Sequence, residues 1–297
     1  MTRHRDRRRR AATGSILGVA AVVATFALSG CSQDATPPQA SPQPGSVTVG
    51  ALPSEHVHGV GRDPGNGKVN LATHQGLFVL QSDGRWHRVG PEIDLMGFAV
   101  SGPGAFYASG HPAAGVDLPA PVGLMQSTDA GSTWTVLSRG GQSDFHALTT
   151  SSAGVLGYDG ALRATKDGKN WTEHALPGAP SSLAASPNGA QVLATTNQGV
   201  LSSTDGGATW AALASAPPLF LTAWANSKTI VGVTTKGGLA VSEDAGRSWT
   251  IGAAKVTSAQ AVSASRTPAG LLEFLVVTNS GVLQTSDNGA TLNNLTS

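Results

Sequence analysis

Five histidines, His56, His58, His74, His111 and His146, offer the clearest chemistry in this 297-residue chain. Imidazole nitrogens suit zinc, copper or nickel. His56 and His58 stand two apart, and on a β-strand that spacing turns both rings to one side, where they can share an ion. Asp94 adds a carboxylate and Met96 a thioether, and the thioether tilts the choice toward copper. No spacing among the five is diagnostic by itself. His74 reads equally well as a turn residue, because His, Asn and Asp tolerate left-handed backbone better than most residues. A site exists only if the fold brings these side chains together.

The elements that would do so repeat along the chain. Four segments align without gaps: STDAGSTW at 127–134, STDGGATW at 203–210, SEDAGRSW at 242–249 and TSDNGATL at 285–292. Two more are degraded, QSDGRW at 81–86 and ATKDGKNW at 164–171. The closing positions Trp86, Trp134, Trp171, Trp210, Trp249 and Leu292 are 48, 37, 39, 39 and 43 residues apart, which makes six copies. The pattern has the physics of a hairpin turn. The carboxylates of Asp129, Asp205, Asp244 and Asp287 can accept backbone N–H bonds, the glycine takes positive φ, and Trp134, Trp210 or Trp249 covers the hairpin.

Short runs rich in Val, Leu, Phe and Thr flank each copy. In the fourth they are SSLAAS (181–186), QVLATT (191–196), GVLSS (199–203) and TWAAL (209–213). Four strands per repeat make one propeller blade. Residues 54–297 divided among six copies give about 41 residues each, the size of such a blade. The expected fold is all-β, a six-bladed β-propeller with four-stranded antiparallel blades. Val47 to Leu52 either adds a strand to the last blade or belongs to the segment before the domain.

In a propeller, the entry to the innermost strand and the turn between the second and third strands open on one face. Placement by repeat puts His56 and His58 on the innermost strand of blade one, Asp94 and Met96 on that of blade two, and His146 on that of blade three. His74 and His111 fall in the second turns of blades one and two. Of the seven histidines beyond residue 30, only His87 and His174 map elsewhere. Blade two carries the longest insertion, HPAAGVDLPAP at 111–121, either a lid over the channel mouth or a tolerated surface loop.

The pattern S-x-D-x-G-x-x-W resembles the Asp-box, the bacterial neuraminidase repeat of sialidases, sortilin-type receptors and photosystem assembly factors. In such families the boxes are structural and lie away from the ligand face. The segments VHGVGRDPGNGKVNLATHQGLF (57–78), FYASGHP (106–112) and DFHAL (144–148) resemble a group of bacterial lipoproteins described as sialidase-like or glycosyl-hydrolase-like, over most of 54–297. A sialidase would need three arginines on the substrate carboxylate, a Tyr nucleophile assisted by Glu, and an Asp acid/base.

Beyond residue 30 the chain has seven arginines, Arg62, Arg85, Arg88, Arg139, Arg163, Arg247 and Arg266, and two tyrosines, Tyr107 and Tyr158. Arg62 stands in RDPG and not in the expected Arg-Ile-Pro, and Arg85, Arg88, Arg163 and Arg247 map to hairpins and outer strands. No catalytic residue is assigned. The expected function is a non-catalytic binding protein for a partner protein, a glycan or a transition metal, copper or zinc. A sialidase-like exo-glycoside hydrolase and a membrane-complex assembly factor are the alternatives.

The chain's start carries a separate message. Arg3, Arg5 and Arg7 to Arg10 precede the uncharged run Ile16 to Leu28, which has the length of a signal-peptide core and is short for a membrane span. The sequence LSGC follows, and Cys31 is the only cysteine of the chain. This resembles a bacterial lipoprotein signal and implies acylation, including palmitate, at Cys31. The expected organisation is a signal peptide over 1–30, a Pro/Ser/Gln-rich stalk over 31–53 and the propeller over 54–297. The protein would be exported and held by its lipid at the outer face of the cell membrane or in the cell envelope. The body beyond residue 30 has 13 basic and 17 acidic side chains and no basic run, which argues against a nucleic-acid partner.

Overall fold

The computed structural model describes residues 51–296. The expected signal peptide, Cys31 and nearly all of the stalk lie outside the described residues. The described chain forms 24 strands, β1–β24 in chain order, grouped into six antiparallel sheets of four consecutive strands each. The fold is therefore the expected six-bladed β-propeller. In blade one the strands are β1 (Val57–Arg62), β2 (Val69–Thr73), β3 (Gly76–Leu80) and β4 (Trp86–Val89). The innermost strands of the other blades are β5 (Ile93–Gly102), β9 (Ala147–Ser151), β13 (Ser182–Ala185), β17 (Leu219–Trp224) and β21 (Ala261–Arg266). Each packs beside the next, and β21 packs beside β1, so the ring closes around one axis.

Burial explains why sheets with such short strands hold together. Six apolar clusters each lie between successive blades, and none is internal to one blade. Leu71, Phe78 and Trp86 of blade one meet Leu275, Val277 and Val282 of blade six. Leu124 of blade two meets Phe145 and Val155 of blade three. A sheet between two neighbours must be apolar on both faces, and β2 is buried along its whole length. Close to the axis the inner strands converge, and side chains must shrink. A Cβ on Gly61 would lie 2.5 Å from Val100 Cγ2, so glycine is required there.

The recurring turns join one blade to the previous one. In the turn at 127–134, Asp129 Oδ1 accepts the Thr133 amide at 2.9 Å while Ser127 Oγ accepts the Gly131 amide at 2.8 Å. The same pair of bonds recurs at Asp205 and Ser203, at Asp244 and Ser242, and at Asp287 and Thr285. Gly131 has φ 89° and its missing Cβ would stand 2.2 Å from Leu77 Cδ2 of blade one. Trp210 and Trp249 donate their ring N–H to the carbonyls of Gly207 and Gly246 in their own turns. Hydrogen bonds from the hydroxyls and then the amides of Thr209, Ser248 and Thr291 hold the Asp205, Asp244 and Asp287 carboxylates down at about 2.

Each sheet uses strands consecutive in the chain, so no N-terminal strand completes the last blade among the described residues. Of the segment Val47 to Leu52, residues 47–50 lie outside the described residues, and Leu52 packs with Leu295 against the cluster between blades six and one.

Candidate metal centre

The ladder between β1 and β2 pairs Val57 with Thr73 and then Gly59 with Ala72, leaving His58 as the extra residue of a bulge. A bulge breaks strand alternation and re-aims the side chain it carries. The same irregularity falls at Met96 in β5 and at Phe220 in β17, so these residues occupy equivalent places at one rim of the channel. His146 stands immediately before β9, its amide bonded to the Tyr158 carbonyl at 3.0 Å. At this rim a small pocket of about 120 Å³ lies on the axis, with His58, His146, Ser182 and Gln260 among its lining.

His58, half-buried in its bulge, points at the turn between β2 and β3. There His74 Nε2 lies 3.3 Å from His58 Nε2, and His74 Nδ1 lies 2.8 Å from Asp94 Oδ1 of blade two. Among the described residues, His58, His74 and Asp94 are the group whose donor atoms all come within 4.8 Å of one another. Two ligands on one ion with bonds of about 2.0–2.1 Å sit roughly 3.3 Å apart in a tetrahedron, the separation of the two Nε2 atoms. Asp94 holds the far nitrogen of His74, the arrangement that fixes ring orientation and tautomer in histidine–metal sites. Burial pushes the His58 imidazole below its ordinary pKa, and His74 adds to this while Asp94 opposes it. A neutral ring keeps a lone pair for a metal.

The remaining predicted residues surround this group with several departures from the sequence reading. His56 precedes β1 and does not share a strand face with His58, yet its ring still meets His74 edge-on at a centroid distance of 5.4 Å. His74 is not a left-handed turn residue, because the positive φ of its turn, 117°, belongs to Gly76. His111 is not in a turn: it lies on β6 (Ala105–Pro112), directly across the ladder from Asp94. The insertion is fastened down beside its own blade, with the Val122 amide on the Gly110 carbonyl and the Gly141 amide on the Pro121 carbonyl. Residues 111–121 contribute nothing to the lining of the rim pocket, so the lid reading is set aside.

One residue escaped the sequence reading. Asp144, two positions before His146, has Oδ2 2.7 Å from His146 Nε2 and 3.8 Å from His111 Nδ1. The five histidines therefore divide around two carboxylates, with His56, His58 and His74 on the Asp94 side and His111 and His146 on the Asp144 side. The D-x-H spacing in DFHAL was the available clue.

The opposite end of the channel is wider, about 770 Å³, and lined by small and hydroxylated residues with Arg62, Tyr107 and Trp224. Arg62 is held there by Glu273 at 2.9 Å, and Arg266 by Glu243 at 2.6 Å. Arg139 and Arg163 both pair with Asp159. Tyr107 accepts a hydrogen bond from Gln126 at 3.3 Å.

No protein-family model matches the chain, and no curated protein is significantly similar to it. Solved structures do share its fold. A GH74 enzyme from Niastella koreensis superposes with a TM-score of 0.53 at 13% identity, over 84% of this chain and 55% of that one. The chain thus spans just over half the length of that enzyme. A gluconolactonase from Xanthomonas campestris gives a TM-score of 0.60 at 12% identity, over 82% and 95% of the two chains. YCF48 bound to a D1 peptide gives 0.50 at 16% identity, over 86% and 87%. Hydrolases and a peptide-bound protein thus share one propeller architecture with this chain, and at these identities the likeness defines the fold alone.

Proposed function

We propose that this protein is an exported, lipid-anchored binding propeller that holds a transition-metal ion, copper or zinc, on the facing nitrogens of His58 and His74, with Asp94 fixing the His74 ring. The observation that carries the reading is the convergence of two imidazole nitrogens at 3.3 Å with a carboxylate bonded to the far side of one ring. That geometry joins blades one and two and matches the ligand spacing of a borderline divalent ion. The anchor rests on LSGC ending at Cys31 after an uncharged run. The arginines engaged by Glu273, Glu243 and Asp159 favour binding over sialidase chemistry, which requires three guanidiniums free for a substrate carboxylate.

Equilibrium dialysis of the full-length chain in detergent against zinc and copper tests the reading. The expected result is uptake that the double variant His58→Ala/His74→Ala loses at low free metal. Wild-type uptake no greater than that of this variant would overturn it. The peptide-bound YCF48 structure favours one further reading, a partner-binding role in membrane-complex assembly. Under that reading the isolated protein takes up no metal, and crosslinking in intact membranes joins it to a membrane complex.

A further inference from the structure

The His111–Asp144–His146 group is separate from the proposed centre and shares no residue with it. Asp144 lies in the connection between β8 (Thr135–Ser138) and β9, where blade two passes into blade three. Among the described residues its ion-pair partners are His111 and His146, with no lysine or arginine. Its side chain is 19% exposed, and its buried Oδ1 has no hydrogen-bond partner among the described residues. A buried acceptor left unpaired is costly, and a carboxylate whose neighbours are imidazoles is the donor set of a metal position.

We propose that His111, Asp144 and His146 form a second transition-metal position, weaker than the first, so that the histidine-bearing rim takes two ions per chain. The inference deepens the metal-binding reading and rests on it. Ligands of one ion with bonds of about 2.0–2.1 Å lie roughly 2.9–4.1 Å apart, depending on the angle between them. The 3.8 Å gap from His111 to Asp144 Oδ2 falls in that range, and the 2.7 Å gap from His146 needs to open by a few tenths of an ångström, but the three donors do not all lie within 4.8 Å of one another, so the two exposed rings must swing together on binding. Two nitrogens and one carboxylate oxygen suit copper(II) or zinc, with water completing the shell.

Two features set the order of affinity. The donors of the first position already lie within 4.8 Å of one another, whereas the second group is looser. The side chains of His111 and His146 are 47% and 60% exposed, so an ion must order two largely exposed rings. His58 and His146 line the same small pocket of the rim, so two cations held there repel each other. The second ion therefore binds against the first.

Isothermal titration and dialysis of the full-length chain with zinc, and separately with copper, read the stoichiometry. Two ions per chain are expected, with dissociation constants separated by about tenfold or more. Asp144→Asn, and independently His111→Ala/His146→Ala, should reduce this to one ion and keep the tighter constant. His58→Ala/His74→Ala should lose the tighter ion and keep the weaker. One ion in the wild type, unchanged in Asp144→Asn, would overturn the second position and leave the first standing. No ion at all would remove both. Should Asp144→Asn lose its thermal transition, the double variant of the two exposed histidines decides alone, and two ions retained in it would overturn the proposal.

Discussion

Asp94 of blade two holds the ring of His74 from blade one, Oδ1 to Nδ1 at 2.8 Å, and so turns the other nitrogen of that ring toward His58. The contact links two sheets through one imidazole. It also gives the carboxylate a role that needs no direct bond to a metal. Replacing such an orienting carboxylate typically lowers metal affinity about 10–100-fold. Asp94→Asn should show that loss in a zinc competition titration while the melting temperature of the metal-free protein stays nearly unchanged. Equal affinities for wild type and variant would mean that His74 is oriented by other contacts.

The recurring turns make a different prediction, about acid. Asp205, Asp244 and Asp287 have carboxyl groups held at about 2 by hydrogen bonds from Thr209, Ser248 and Thr291, against an ordinary value of 3.8. A carboxylate with a depressed folded-state pKa stabilises the fold fully above its unfolded value and loses that contribution as pH falls through the folded one. Stability should therefore drop between about pH 4 and pH 2. Urea midpoints across that window should fall steeply for the wild type. The triple variant Asp205→Asn/Asp244→Asn/Asp287→Asn should start lower and fall less. Parallel slopes would show that other groups govern acid unfolding.

How much of this was legible beforehand depends on what each feature rests on. The blade count was open to reading because Trp86, Trp134, Trp171, Trp210 and Trp249 each close a turn of fixed local chemistry, and local chemistry is written in contiguous residues. The aim of His58 was not. Strand alternation assumes an unbroken ladder, and the extra residue of the bulge in β1 shifts the parity at that point. His111 was misplaced for a related reason: β5 and β6 run several residues longer than their counterparts, so repeat alignment put a strand end into a turn. Asp144 is only half legible: its contact with His146 is written locally in DFHAL, but its other partner, His111, is 33 positions away on another blade, a contact that no local pattern records.

A backbone prediction follows from the turn at 127–134. Gly131 has φ 89°, and an added Cβ would meet Leu77 Cδ2 at 2.2 Å. Gly131→Ala thus combines a conformation that L-residues resist with a clash against the neighbouring blade. Together these should destabilise the fold by about 2 kcal/mol or more, measured by denaturant unfolding. Gly67→Ala is the control, because its φ is 73° but nothing lies within 4 Å of the added carbon. The control carries only the conformational cost of about 1 kcal/mol. Equal losses in the two variants would mean that Leu77 yields without penalty.

Two tryptophans at equivalent ends of their repeats should respond differently to the same substitution. Trp86 is fully buried between blades one and six, and its ring N–H has no hydrogen-bond partner among the described residues. Trp171 donates its ring N–H to Ser138 Oγ at 2.9 Å and stacks on Phe145 with centroids 5.0 Å apart. Trp86→Phe opens a cavity but removes an unpaired buried donor, a group that costs about 1–3 kcal/mol to keep, and the two effects should nearly offset. Trp171→Phe gives up a made bond and part of a stacked pair, for a net loss of about 1–2 kcal/mol. Midpoints of chemical unfolding, compared at unchanged slope, give the order. A larger loss for Trp86→Phe than for Trp171→Phe would place a bound water on the Trp86 ring, since a satisfied N–H offers no such compensation.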